Sequence, residues 1–116
     1  MRIMLVDDER DIRELFSRML HQKGYDTDNF SNGAEAVTAV EDEKNDAEVM
    51  VIDNRMPILD GIEATRRIRK INPKMKVIMA SANDLEDSER SLFDAILTKP
   101  ISFHQLVSTI QGVSPS

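Results

Sequence analysis

The 116 residues predict a doubly wound α/β fold, a five-stranded parallel sheet between two helical layers, on three observations. Short apolar runs recur without polar alternation, the pattern of strands buried on both faces. Segments of helical periodicity separate them, so strand and helix alternate along the chain. The connectors are long enough for right-handed crossovers between parallel strands. With 41% apolar residues the chain supports one core, and a net charge of −6 makes its surface acidic.

Ile3-Met4-Leu5-Val6 is the first strand. Ile12, Leu15, Phe16, Met19 and Leu20 then form one apolar stripe, the clearest helical signal in the chain, ending before Gly24. Tyr25 to about Phe30 is a second strand, interrupted by Asp26 and Asp28 as an edge strand tolerates. The second helix rests on Ala36, Val37 and Val40, and Glu41 to Glu48 is an acidic loop. Val49-Met50-Val51-Ile52 comes next as the third strand. A third helix runs from about Gly61 to Ile71, with Ile62, Ile68 and Ile71 facing inward and Asn72-Pro73 stopping it. Val77-Ile78-Met79-Ala80 and Ala95-Ile96-Leu97 are the last two strands. Between them Asp84 to Arg90 is polar with little stripe, so the fourth helix is expected to be short or irregular. The last helix begins after Ser102, with Phe103, Leu106, Val107 and Ile110 inward. The seven methionines lie scattered in apolar stripes and read as core filler. Ser114-Pro115-Ser116 reads as a tail or the stub of a linker, compatible with a stand-alone domain or a part of a longer chain.

Several functional classes fall away on composition. Without Cys there is no disulfide framework, thiol nucleophile or zinc–cysteine site. No apolar run approaches 18 residues and the N-terminus lacks a signal-peptide core, so no membrane association is expected and a cytoplasmic location fits. An acidic chain does not grip phosphate backbones, which excludes direct nucleic-acid binding. His21 and His104 have no metal-ligand spacing, and Glu9, Arg10, Arg66, Arg67 and Arg69 read as solvated helix faces.

The polar residues at the ends of the buried runs carry the chemistry: Asp7-Asp8 after the first, Asp53 ending the third, Ser81 after the fourth and Lys99 after the fifth. Parallel strands share a direction, so these residues gather on one rim, where open α/β sheets place their ligands. Neighbouring carboxylates repel by roughly 4 kcal/mol per pair at about 4 Å and an effective dielectric of about 20. A cation must sit among them, and oxygen-only ligands with room for water suit Mg2+. Such a metal beside Asp53, with Lys99 and the Ser81 hydroxyl across the pocket, is arranged to bind a phosphoryl group on an Asp oxygen.

Asp7-Asp8, the run Asp53-Asn54-Arg55-Met56-Pro57-Ile58-Leu59-Asp60-Gly61, Ser81-Ala82 and Lys99-Pro100 together resemble the receiver domain of two-component response regulators. The likeness covers nearly all of residues 1–116 and is carried by the ordered set, with Gly24-Tyr25 and Ser31-Asn32-Gly33 as further features. It implies a flavodoxin-like (βα)5 fold with Asp53 as phosphoacceptor. By the same resemblance Asp8, Asp53 and the Arg55 backbone carbonyl bind Mg2+ directly, Asp7 assists, and Ser81 and Lys99 contact the phosphoryl oxygens. It implies a cis Lys99-Pro100 peptide, which Pro makes accessible, and side chains of Arg55 and Asn83 that tune acyl-phosphate lifetime. It also implies a signalling module rather than an enzyme, with a sensor histidine kinase or histidine phosphotransfer protein as donor; a downstream effector, a covalently linked output domain and a homodimer all stay open as the output.

Three features depart from that pattern. Ile96 stands where receivers carry a Tyr or Phe that turns inward on activation, so the usual aromatic switch is missing. Ser81 and Lys99 are 18 positions apart, about four fewer than in typical receivers, or about one helical turn. Leu92-Phe93 replaces the usual Gly-Ala pair. A shortened fourth helix therefore predicts a non-standard partner surface. Other readings are a Mg2+-dependent phosphohydrolase with an Asp nucleophile, opposed by Arg55 where a second acid is expected, and a degenerate receiver kept for protein contacts. Flavin binding is opposed by the acid-lined rim.

Overall fold

A computed structural model describes residues 1–114; the terminal Pro115 and Ser116 of the tail motif lie outside the described residues. Ten elements alternate: β1 (Arg2–Val6), α1 (Arg10–Gln22), β2 (Asp26–Phe30), α2 (Gly33–Glu41), β3 (Val49–Asp53), α3 (Gly61–Ile71), β4 (Lys76–Ser81), α4 (Asp87–Arg90), β5 (Ala95–Thr98) and α5 (Phe103–Val113). The five strands are parallel in the order β2-β1-β3-β4-β5, which leaves β2 on an edge and puts the reversal of strand order between β1 and β3. Among the described residues no helix is long and apolar enough to cross a membrane.

Two-residue periodicity sorts the strand side chains between two cores. Met4, Val6, Met50, Ile52, Val77 and Met79 face the α2/α3 layer. Ile3, Leu5, Val49, Val51 and Ile78 face the layer of α1 and α5, where Leu20, Leu106 and Ile110 meet them. Met4, Met50, Met75 and Met79 are buried, in keeping with methionine as core filler.

Two helical stripes depart from expectation. Along α1 only Leu20 is fully buried, whereas Ile12 and Leu15 are 40% and 50% exposed, so the stripe leaves the core toward the helix N-terminus. On α3 the buried residues are Gly61, Ala64, Thr65 and Ile68, while Ile62 is half-buried and Ile71 exposed. Spacings of three, four and seven from Gly61 define the inward line, and Ile62 and Ile71 fall on either side of it. Small residues occupy the start of this face because Gly61 lies against the end of β3 and Ala64 against Gly33 of α2.

The fourth helix is short, as expected: four residues with a capping box from Glu86 and Glu89. In place of a longer helix, an arginine ties down the chain between α4 and β5. Arg69 on α3 donates to the Leu92 carbonyl, to the Met75 carbonyl and to Asp94 Oδ2 at 2.8 Å. Asp94 also accepts from the Val77 backbone N–H at 2.8 Å, so burial of its carboxyl is outweighed and its pKa falls. Arg69 is thus no solvated helix face: its aliphatic stem lies on the protein and its head finds three acceptors.

Asn32, Asp60 and Ser102 cap α2, α3 and α5 by accepting from the backbone N–H three residues on. Between β3 and α3, Ile58 is held at φ 72° while 81% exposed. A left-handed backbone costs an L-residue about 1–2 kcal/mol, and glycine gives back about 0.5–1 in chain entropy. Ile58→Gly is therefore expected to raise stability by about 0.5–1 kcal/mol, read as a higher urea midpoint at unchanged slope; a lower midpoint would show that the isoleucine is held by contacts instead.

Candidate functional site

The ends of β1, β3, β4 and β5 meet on one rim. Asp53 is paired across the sheet with Ala80, Ser81 with Thr98, and the Lys99 N–H donates to the Ser81 carbonyl at 2.8 Å. Asp7 lies just past β1 and donates its N–H to the Phe30 carbonyl. Oxygen atoms of Asp7, Asp8 and Asp53 all lie within 4.8 Å of one another, spanning the reversal of strand order.

Asp53 is buried, and its Oδ1 accepts from its neighbour Asn54's N–H at 2.9 Å and from Lys99 Nζ at 2.6 Å. The peptide Lys99-Pro100 is cis. Burial lowers the Lys99 ammonium, but the Asp53 hydrogen bond and the charges of Asp53 and Asp7 prevail, so its pKa is raised and it stays charged. One lysine does not neutralise three acids. Burial, together with the Asp53 charge and against a hydrogen bond from the Glu9 N–H, pushes the Asp7 carboxyl up to about 6. Oxygen-only donors and an excess of negative charge are the donor set of a hard divalent cation.

A glycine brings α3 onto this site. A Cβ on Gly61 would stand 2.2 Å from the Asp53 carbonyl oxygen, and its N–H donates to the Asn54 carbonyl at 2.8 Å. Only glycine lets the helix start this close to Asp53.

Ser81 reaches the rim, but its hydroxyl is engaged by the β4–α4 connection. It donates to Asp84 Oδ1 at 2.8 Å and accepts from the Asn83 N–H at 3.1 Å. Arg55 is exposed and its Nε donates to Asp84 Oδ2 at 2.7 Å. The Arg55 guanidinium, then the Ser81 hydroxyl, hold the Asp84 carboxyl down at about 2. Asn83 is exposed at φ 68°, a backbone that asparagine tolerates, and it turns the chain so that Asp84 folds back on Ser81. Sequence reasoning passes over Asp84; its signal is a hydroxyl three residues before an acid at a strand end, a local hydrogen-bonding pattern.

A cavity of about 540 Å3 opens between α1 and the β5–α5 connection, and Asp7, Asp53 and Lys99 share its lining with Ile12, Leu15 and Pro100. The uncovered end of the α1 stripe is therefore continuous with the acidic rim.

The response regulator receiver domain model matches residues 3–111. The chain belongs to the response regulator receiver family. Response regulator MprA of Mycobacterium leprae is 32% identical over 117 residues, 97% of this chain but 50% of the relative, so the chain spans about half the length of the curated relatives it matches. The Francisella response regulator 1452 receiver domain superposes with a TM-score of 0.86 at 30% identity, covering 97% of this chain and 94% of that one. Response regulator TrrA of Thermotoga maritima, solved with Mg2+-BeF, gives 0.85 at 30% identity and 97% coverage of both chains. TrrA has also been solved in complex with histidine kinase ThkA, with the same score and identity. This receiver thus has the fold and the alternating order of its family, with Ile96 half-buried on β5 against the α2/α3 core.

Proposed function

We propose that this receiver, read as one domain over residues 1–116, accepts a phosphoryl group on Asp53 from a histidine kinase or histidine phosphotransfer protein and switches its protein contacts in response. The observation that carries the reading is Asp53 held 2.6 Å from Lys99 beside the oxygens of Asp7 and Asp8. The Asp53 carboxylate attacks phosphorus in line, the bond to the donor's imidazole nitrogen breaks, and that nitrogen keeps the electron pair. Lys99 offsets charge on the equatorial oxygens. Bound by Asp7, Asp8, Asp53 and the Arg55 backbone carbonyl, Mg2+ would supply further neutralisation there. Ser81 is the hydroxyl donor to the acyl phosphate. TrrA's Mg2+-BeF complex supports this assignment, because beryllofluoride is a tetrahedral phosphoryl mimic.

The donor reaches Asp53 along the uncovered α1 stripe, where Ile12 and Leu15 beside Pro100 suit an apolar helical surface; the ThkA–TrrA complex supports a histidine kinase as the partner. We read the module as cytoplasmic and signalling rather than enzymatic, since Arg55 occupies the position where a phosphohydrolase would need a second acid.

Intact mass after incubation with acetyl phosphate and Mg2+ tests the reading. One phosphoryl adduct is expected in the wild type, none with chelator and none in Asp53→Ala. An adduct that persists in Asp53→Ala, or none in the wild type even with a kinase, overturns it.

A further inference from the structure

The Ser81 hydroxyl has one proton, and this structure gives it to Asp84. The other Asp84 oxygen takes the Arg55 guanidinium, and Asn54 Nδ2 approaches Oδ1 at 3.4 Å. One carboxylate in the β4–α4 connection therefore holds two groups that flank Asp53 in the sequence and in the sheet. The contact is built in by the chain's turn: the N–H groups of Asn83 and Asp84 both donate to Ser81 Oγ, and Leu85, the next residue, is buried in the α2/α3 core. Beyond it α4 is a single turn. Asp84 lies three residues before the start of the shortened fourth helix.

We propose that Asp84 is a positioning residue that withholds the Ser81 hydroxyl and Arg55 from the phosphoacceptor and is displaced when a phosphoryl group occupies Asp53. The proposal rests on the phosphoacceptor reading above. A single proton serves one acceptor at a time, so the Asp84–Ser81 bond and a Ser81–phosphoryl bond exclude each other. A phosphoryl group also adds about −1.5 to −2 charge, which repels the Asp84 carboxylate and competes for Arg55. Displacement of Asp84 links occupancy of Asp53 to movement of the β4–α4 connection, a route that needs no aromatic side chain at Ile96.

Titration with beryllofluoride in the presence of Mg2+ tests this without turnover. Asp84→Ala is expected to bind about tenfold more tightly than wild type, the gain from removing one charge-assisted hydrogen bond that the ligand must break. Asp84→Asn, which keeps an acceptor but loses the charge, should fall between them and serves if the alanine variant fails to fold. In a Ser81→Ala background the gain should shrink, leaving only the part owed to release of Arg55 and removal of the Asp84 charge, a dependence that a merely structural role would not show. The Leu85 amide resonance of unliganded Asp84→Ala should lie toward its position in liganded wild type. Wild-type binding with unchanged affinity in both Asp84 variants overturns the proposal, as does a full gain in the Ser81→Ala background. Failure of the wild type to bind at all overturns the phosphoacceptor reading, and this proposal with it.

Discussion

Arg69→Ala is expected to destabilise the domain by about 3 kcal/mol, a large share of the roughly 5–15 kcal/mol that holds a typical domain together. The guanidinium bonds two carbonyls, Leu92 O and Met75 O, and the Asp94 Oδ2 that also accepts from the Val77 N–H. Each hydrogen bond to a charged group contributes about 1.5–3 kcal/mol, and stranded acceptors add a desolvation cost. These groups are only three-quarters buried, 24% and 27% of the Arg69 and Asp94 side chains being exposed, so water recovers part of the loss. Urea unfolding checks the value, with Arg66→Ala, exposed on the same helix, expected within about 0.5 kcal/mol of wild type. Asp94→Ala should cost less in the Arg69→Ala background than alone, because the two share one network. Equal costs for Arg66→Ala and Arg69→Ala would mean that the segment between α4 and β5 is held by packing of Leu92 and Phe93 alone.

The same arginine shows what the sequence leaves illegible. Strands buried on both faces announce themselves, since each side chain must be apolar whichever way the pleat points, and the acids at their ends announce the rim. The edge position of β2 is readable from Asp26 and Asp28 for the same reason. Arg69 carries no such mark. Its neighbours Arg66, Arg67 and Lys70 are chemically alike, and only the loop returning from α4 decides which of them finds acceptors 23 and 25 residues away. Asp84 is hidden differently: it reads as one more acid in a polar stretch until the turn at Asn83 folds it onto Ser81. Periodicity misplaces the phase of α3 because isoleucines look more buried than alanine and glycine. Close approach to Asp53 at Gly61, and to Gly33 of α2 at Ala64, reverses that preference. Propensity and periodicity are local, and each of these cases is settled by a contact distant in sequence.

Asp7→Asn should move stability and metal binding in opposite directions. Burial raises the Asp7 carboxyl from 3.8 to about 6, so the folded chain holds that proton more tightly than the unfolded one. Its contribution is therefore favourable below pH 3.8 and is lost as pH rises through about 6, leaving the wild type strained at neutral pH. For a fully buried carboxyl the cost would be about 3 kcal/mol; Asp7 is half-buried and screened by water, so about 1–2 kcal/mol remains. Without divalent cation, Asn at this position should make the domain about 1–2 kcal/mol more stable at about pH 7.5 and nearly indistinguishable from wild type at about pH 4. With Mg2+ the order should reverse: wild type gains stability in proportion to the logarithm of metal concentration, while the variant, lacking one of three carboxylates, binds about 10–100-fold more weakly. Urea unfolding at the two pH values, with and without Mg2+, separates these effects. A variant less stable than wild type at neutral pH without metal would show that Asp7 serves the fold, through its bond from the Glu9 N–H at the start of α1, more than it serves the cation. The rim is otherwise a place where stability of the empty domain is given up so that a cation, and then a phosphoryl group, can be held.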